Sequence, residues 1–193
     1  SKPITKKEAC GILNIAYNTT RLGNIISEFH ETMEFRARRK AQNKGKAATK
    51  QEVKQAVAGY LDGETVADIA KSLYRSPAFV KGIIERIGVP QKIAHTDYEG
   101  RRNALLPDQC ISEDFATGEK VWAIRQNYPA VVKKELQPEQ SEERGYKLYL
   151  VYTIEAQQED LKDTYFPYLE FAGKYHAIPA YDMGSLRHLR EYM

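Results

Sequence analysis

The chain has 193 residues, 42% hydrophobic and 28% charged, the balance of a soluble globular protein with one or two domains. No stretch approaches the roughly 20 uninterrupted apolar residues of a bilayer-crossing helix, and the opening segment Ser1 to Lys7 lacks a signal-peptide apolar region. The expectation is a cytoplasmic protein with no membrane partner. The formal net charge of +3 hides an asymmetry: residues 1–97 carry 17 Lys/Arg against 10 Asp/Glu, and residues 98–193 carry 12 against 16. A basic half suits a phosphate-bearing partner, and an acidic half suits solvent or a protein.

In chain order, Thr5-Lys6-Lys7-Glu8 has the form of a capping box, and Ala9, Ile12, Leu13, Ala16 and Tyr17 follow at helical spacing. This predicts a first helix to about Tyr17. Leu22, Ile25, Ile26, Phe29 and Met33 form one stripe on a second helix that runs from the Asn18-Thr19-Thr20 start signal to about Ala41. That stripe supplies either a homodimer interface or a cover for the helices that follow. From Arg36 to Lys50 there are seven basic residues (Arg36, Arg38, Arg39, Lys40, Lys44, Lys46 and Lys50) and no acidic one, with a helix break at Asn43 to Lys46.

A second capping box, Thr49-Lys50-Gln51-Glu52, opens a third helix that turns Val53, Ala56, Val57, Tyr60 and Leu61 inward and closes at Asp62-Gly63-Glu64. Thr65 to Leu73 is a short helix. Ser76-Pro77 then supplies an N-cap and a first-turn proline for another, which carries Phe79, Val80, Ile83, Ile84 and Ile87 and stops at Gly88-Val89-Pro90. Residues 91–117 have turn chemistry, as at Glu99 to Asn103 and Leu106 to Asp108, and are expected to link a helical part (1–90) to a second domain (118–193).

Beyond the linker the period becomes strand-like, at Lys120 to Arg125, Ala130 to Val132 and Tyr146 to Ile154. Apolar residues on both faces of the last run predict two-sided burial, as in a small closed barrel. Gln137 to Gly145 is expected to be an exposed, mobile loop, and Asp182 to Arg190 a short capped helix. Nine of the 13 tyrosines (Tyr128, Tyr146, Tyr149, Tyr152, Tyr165, Tyr168, Tyr175, Tyr181 and Tyr192) follow residue 127, and a core role is expected for them over base stacking. The predicted fold class is α+β.

The segment from Leu61 to Ile84, within residues 49–88, resembles the helix-turn-helix of the resolvase and invertase recombinases: small Ala70 permits close crossing, and Ile69 and Leu73 meet Val80 and Ile83. The resemblance covers about a fifth of the chain. In that family a glycine occupies the turn position held here by Tyr74, and no recombinase catalytic domain is recognisable, so the resemblance implies duplex DNA binding without recombination. It implies that Ala78, Lys81, Glu85 and Arg86 form a groove-facing surface, with Gly82 between them and Ser76 at its start. Lys54, Lys71, Arg75 and the run Arg36 to Lys50 are the expected phosphate contacts. Gly118 to Arg125 with Ala130 to Val132 loosely resembles the first strands of SH3-like and Tudor-like barrels, implying a partner-binding C-terminal domain.

No enzyme is expected. Walker, G-x-S-x-G and HExxH motifs are lacking, Glu170 and Lys174 do not make a nuclease E-x-K, and Glu142-Glu143 and Asp160 with Asp163 read as solvated faces. Cys10 and His30 suggest no third partner, and Cys10 and Cys110 read as free thiols, so neither metal nor cofactor is expected. The expected function is that of a transcription regulator or a component of a phage or mobile-element nucleoprotein complex. The alternatives are an assembly protein whose modules dock on proteins, and an RNA or ribosome binder.

Overall fold

The computed structural model describes residues 3–91, 106–155 and 172–193. The turn chemistry at Glu99 to Asn103, the carboxylates Asp160, Asp163 and Glu170, and Tyr165 and Tyr168 lie outside the described residues. The chain forms two compact units, residues 1–46 and 47–193.

The first unit contains α1 (Lys6–Ile12) and α2 (Thr19–Asn43). The capping box forms: Glu8 N–H donates to Thr5 Oγ1 at 3.2 Å, and Thr5 N–H donates to Glu8 Oε2 at 2.7 Å. The helix ends five residues before Tyr17, because Asn14 turns left-handed (φ 50°) and Ile15 N–H donates back to the Cys10 carbonyl at 3.0 Å. Asparagine tolerates this conformation, which sequence reading assigns first to glycine. On α2, Leu22 is buried, whereas Ile26, Phe29 and Met33 are exposed.

The second unit is α+β. Its helices are α3 (Lys50–Leu61), α4 (Val66–Ser72) and α5 (Pro77–Ile87). Its antiparallel sheet has β1 (Lys120–Ala123), β2 (Tyr128–Leu136), β3 (Leu148–Thr153), β4 (Tyr175–Pro179) and β5 (Met183–Ser185), in the order β4-β3-β2-β1-β5. A 3-10 turn, Ala180–Asp182, joins β4 to β5. The register of β2 on β3 shifts between Val132 and Lys134, a bulge that bends the longest strand.

Two cores sit on opposite sides of β1. Val121 and Ala123 join Phe115, Ala130, Val132, Tyr149, Val151, Ile178 and Met183 in one. Trp122 and Ile124 point the other way, into the core of α3–α5, where Trp122 stacks on Tyr60 with ring centroids 6.4 Å apart. Leu186, Leu189 and Cys110 complete that second core. The helices and the sheet therefore share buried side chains, and the compact units divide at residue 46 and not within 91–117, of which 92–105 lie outside the described residues. Asp62 at the end of α3 pairs with Lys120 of β1 at 2.6 Å. At Gly63 (φ 94°) a Cβ would lie 2.7 Å from Tyr128 Oη and 2.8 Å from the Glu155 carbonyl, so helix and sheet approach more closely there than any side chain permits.

Tyr149, Val151 and Thr153 of β3 are buried, and Leu148, Leu150 and Tyr152 on its other face are half-buried, so neither face of the strand is exposed. Two further expectations are corrected. The segment Gln137 to Gly145 is largely exposed, as expected, but is built of short helical turns: a 3-10 turn at Pro138–Gln140 and α6 (Ser141–Arg144), tied by Arg144 to Gln137 and Gln140 at 2.7 Å each. Its polar side chains bond to one another where apolar packing is lacking. The expected helix from Asp182 to Arg190 is instead β5 followed by a 3-10 turn at Arg187–Tyr192, because pairing with Val121 to Ala123 takes Met183 to Ser185 into the sheet.

Candidate nucleic-acid interface

The junction between α4 and α5 begins with the cap of α4. Tyr74 adopts a left-handed conformation (φ 52°), Arg75 N–H donates to the Ala70 carbonyl at 2.9 Å, and Tyr74 N–H donates to that of Lys71 at 3.4 Å. These are the two bonds of a Schellman cap, with tyrosine at the position that glycine fills at least cost. Ser76 then caps α5 by accepting from Phe79 N–H at 3.2 Å, and Pro77 occupies the first turn.

α5 is split into two faces. Val80, Ile83 and Ile84 are buried in the core, whereas Ala78, Lys81, Gly82, Glu85 and Arg86 are exposed. Lys81 and Glu85 form an exposed pair at 3.9 Å, so the outward face has two cations and one carboxylate that partly offsets them. Lys50, Lys54, Lys71 and Ser76 are also exposed.

Arg75 is the exception among the expected phosphate contacts. It is 8% exposed: its Nε donates to Glu52 Oε1 at 2.7 Å, an Nη donates to Glu52 Oε2 at 3.1 Å and to the Ala47 carbonyl at 3.3 Å, and its guanidinium lies 4.3 Å from the Phe79 ring centroid. A fork-shaped donor group meets a carboxylate that the capping box already holds, since Thr49 N–H donates to Glu52 Oε2 at 2.8 Å. Arg75 is thus a clasp between the start of α3 and the α4–α5 turn and is withdrawn from any phosphate.

The same contacts lower the Glu52 pKa from 4.5 to about 2: the Arg75 hydrogen bond dominates, against burial, with help from Thr49. Because the folded value lies below the unfolded one, the clasp's charge contribution is complete above about pH 5 and is lost as pH falls through 4.5 toward 2. Glu52→Gln should therefore cost up to about 3 kcal/mol at neutral pH, a gap from the unsubstituted protein that closes near pH 2. Urea unfolding of both proteins across that range measures it, and a gap independent of pH would show that the pair adds no charge-dependent stability.

The basic residues Arg36, Arg38, Arg39, Lys40, Lys44 and Lys46 belong to the first unit, and all are exposed. Arg38 pairs with Glu34 at 3.6 Å, and Arg39 lies 5.5 Å from the Phe35 ring centroid. Cys10 and Cys110 are buried free thiols, and burial pushes the Cys110 pKa up to about 12, far from a reactive thiolate. No helix among the described residues is long and apolar enough to cross a membrane.

Sequence reasoning missed a concavity beside the sheet, lined in part by Asp108, Glu113, Tyr146 and Tyr181. Its walls come from four separate parts of the chain, residues 106–114, Ile124, 141–147 and 180–183, and the sequence signal was the richness in tyrosine and acid of the C-terminal half. No protein-family model matches the chain, and no curated protein or solved structure is significantly similar to it.

Proposed function

We propose that the protein binds duplex DNA through α5, the second helix of a helix-turn-helix made by α4, the Tyr74 turn and α5, and that its C-terminal part serves protein contact. The observation that carries this reading is the division of α5, with Val80, Ile83 and Ile84 in the core and Ala78, Lys81, Glu85 and Arg86 facing outward. The left-handed Tyr74 supports it, since it gives the turn the backbone that a glycine provides in recombinase-type motifs. An SH3-like barrel is supported by the strand order β4-β3-β2-β1-β5 and the 3-10 turn between β4 and β5. On this reading Lys50, Lys54 and Lys71 touch phosphates, and the protein acts without chemistry of its own in a regulatory or phage or mobile-element nucleoprotein complex.

Fluorescence anisotropy with duplex DNA, single-stranded DNA and RNA at two salt concentrations tests the proposal. Duplex binding should dominate and weaken steeply with salt. Lys81→Glu should weaken it at least tenfold while unfolding free energy stays within about 0.5 kcal/mol, since Lys81 is exposed. Full DNA affinity in Lys81→Glu would take α5 out of the groove. The competing assembly-protein reading draws on the outward face itself, where Glu85 pairs with Lys81. It gains first place if no duplex binds at low salt.

A further inference from the structure

The concavity beside the sheet encloses about 740 Å³, in the range of binding clefts. It lies where residues 106–114, 141–147 and 180–183 converge. Leu106, Ile124, Ala180 and Met183 provide apolar lining. Tyr146 and Tyr181 meet edge to face with centroids 5.3 Å apart, yet they remain 40% and 64% exposed, and Ile111 is 73% exposed. Open tyrosine rings beside an apolar lining offer an apolar face and a polar hydroxyl to a docking group.

Its charge selects what docks. Among the described residues, Asp108, Glu113, Asp114 and Glu142 line it with one cation, Lys147, which Asp114 already engages, while Arg187 beside it is held by the Glu119 carboxylate and the Asp114 carbonyl. Asp108, Glu113 and Glu142 make no ion pair among the described residues. Phosphate-bearing ligands are repelled by this set, and a neutral apolar ligand leaves the carboxylates unused. A cation on an aliphatic stem satisfies both features: its methylenes cover the apolar lining, its charge meets the carboxylates, and it can lie against the tyrosine rings.

We propose that this concavity receives an arginine or lysine side chain, with apolar neighbours, from a peptide segment of a protein partner. The inference rests on the reading of the C-terminal part as a protein-docking module and deepens it. The test is a two-dimensional amide NMR titration of the full ¹⁵N-labelled chain with the capped peptide Leu-Arg-Leu-Arg, its glutamate counterpart Leu-Glu-Leu-Glu serving as control. Saturable shifts should appear for the arginine peptide alone, concentrated at residues 108–114, 141–147 and 180–183. Tyr181→Ala, and separately Glu113→Gln with Glu142→Gln, should each raise Kd at least tenfold, while duplex DNA affinity stays unchanged. No shifts up to millimolar peptide, equal shifts with the glutamate peptide, or unchanged Kd in both variants would overturn the proposal. Shifts of the same amides on concentrating the protein alone would assign the concavity to a second copy of this chain and also overturn it. Failure of DNA binding with peptide binding intact would remove only the DNA reading.

Discussion

Arg75→Ala should lower the unfolding free energy by about 3–5 kcal/mol, the usual cost of leaving one member of a buried ion pair alone. The Glu52 side chain is only 16% exposed and would keep its charge without the two guanidinium bonds. The ring of Phe79 would lose the cation lying over it, and the Ala47 carbonyl its donor. Guanidinium chloride midpoints give the effect directly. Combining Arg75→Met with Glu52→Gln should cost less than the sum of the two single changes, because the stranded charge is then gone. Additive costs, or a loss under 1 kcal/mol for Arg75→Ala, would mean the clasp is no more than a surface pair. Loss of DNA binding in Arg75→Ala should follow from unfolding, so stability is measured first.

Val80→Asp should unfold the second unit outright. Val80 is fully buried, in a core that includes Ile69, Ile83 and Trp122. A carboxylate there either remains charged without a partner or takes up a proton, and both options cost several kcal/mol beyond the lost packing. A loss above about 5 kcal/mol is expected, as much as the whole folding free energy of a protein at the low end of ordinary stability. Circular dichroism of the purified variant decides the matter. A cooperative transition near that of the unsubstituted protein would place residue 80 at a surface and reverse the assignment of the two faces of α5.

What could be read from the sequence was local. The capping boxes at Thr5 and Thr49, the Ser76-Pro77 start and the Gly88 stop of α5 rest on interactions a few residues apart, and each stands where the pattern placed it. The apolar spacing of α5 likewise separated its buried positions from its exposed ones. Arg75 was misread because a basic residue in a basic half resembles a phosphate contact. Its partner Glu52 lies 23 residues away, although Phe79, one turn ahead, was an available hint. The division of the chain was misread for a similar reason: Trp122, Leu186 and Leu189 look like members of a strand-rich domain, and only the tertiary structure places them against Tyr60 and Leu61. The concavity has walls from four distant parts of the chain, and periodicity carries no information on how distant segments meet.

The shared core also has a consequence for synthesis. A ribosome delivers residues in order, at about 5–20 per second, and roughly a hundred residues separate the end of α5 from Leu186 and Leu189. The three helices must therefore wait on the order of 5–20 s, with Tyr60 and Val80 lacking the last layer that covers them. Ala47, Thr49, Glu52, Arg75 and Phe79 all emerge before β1. The clasp can close while the sheet is still being made, holding a half-finished core in register for strands that arrive later.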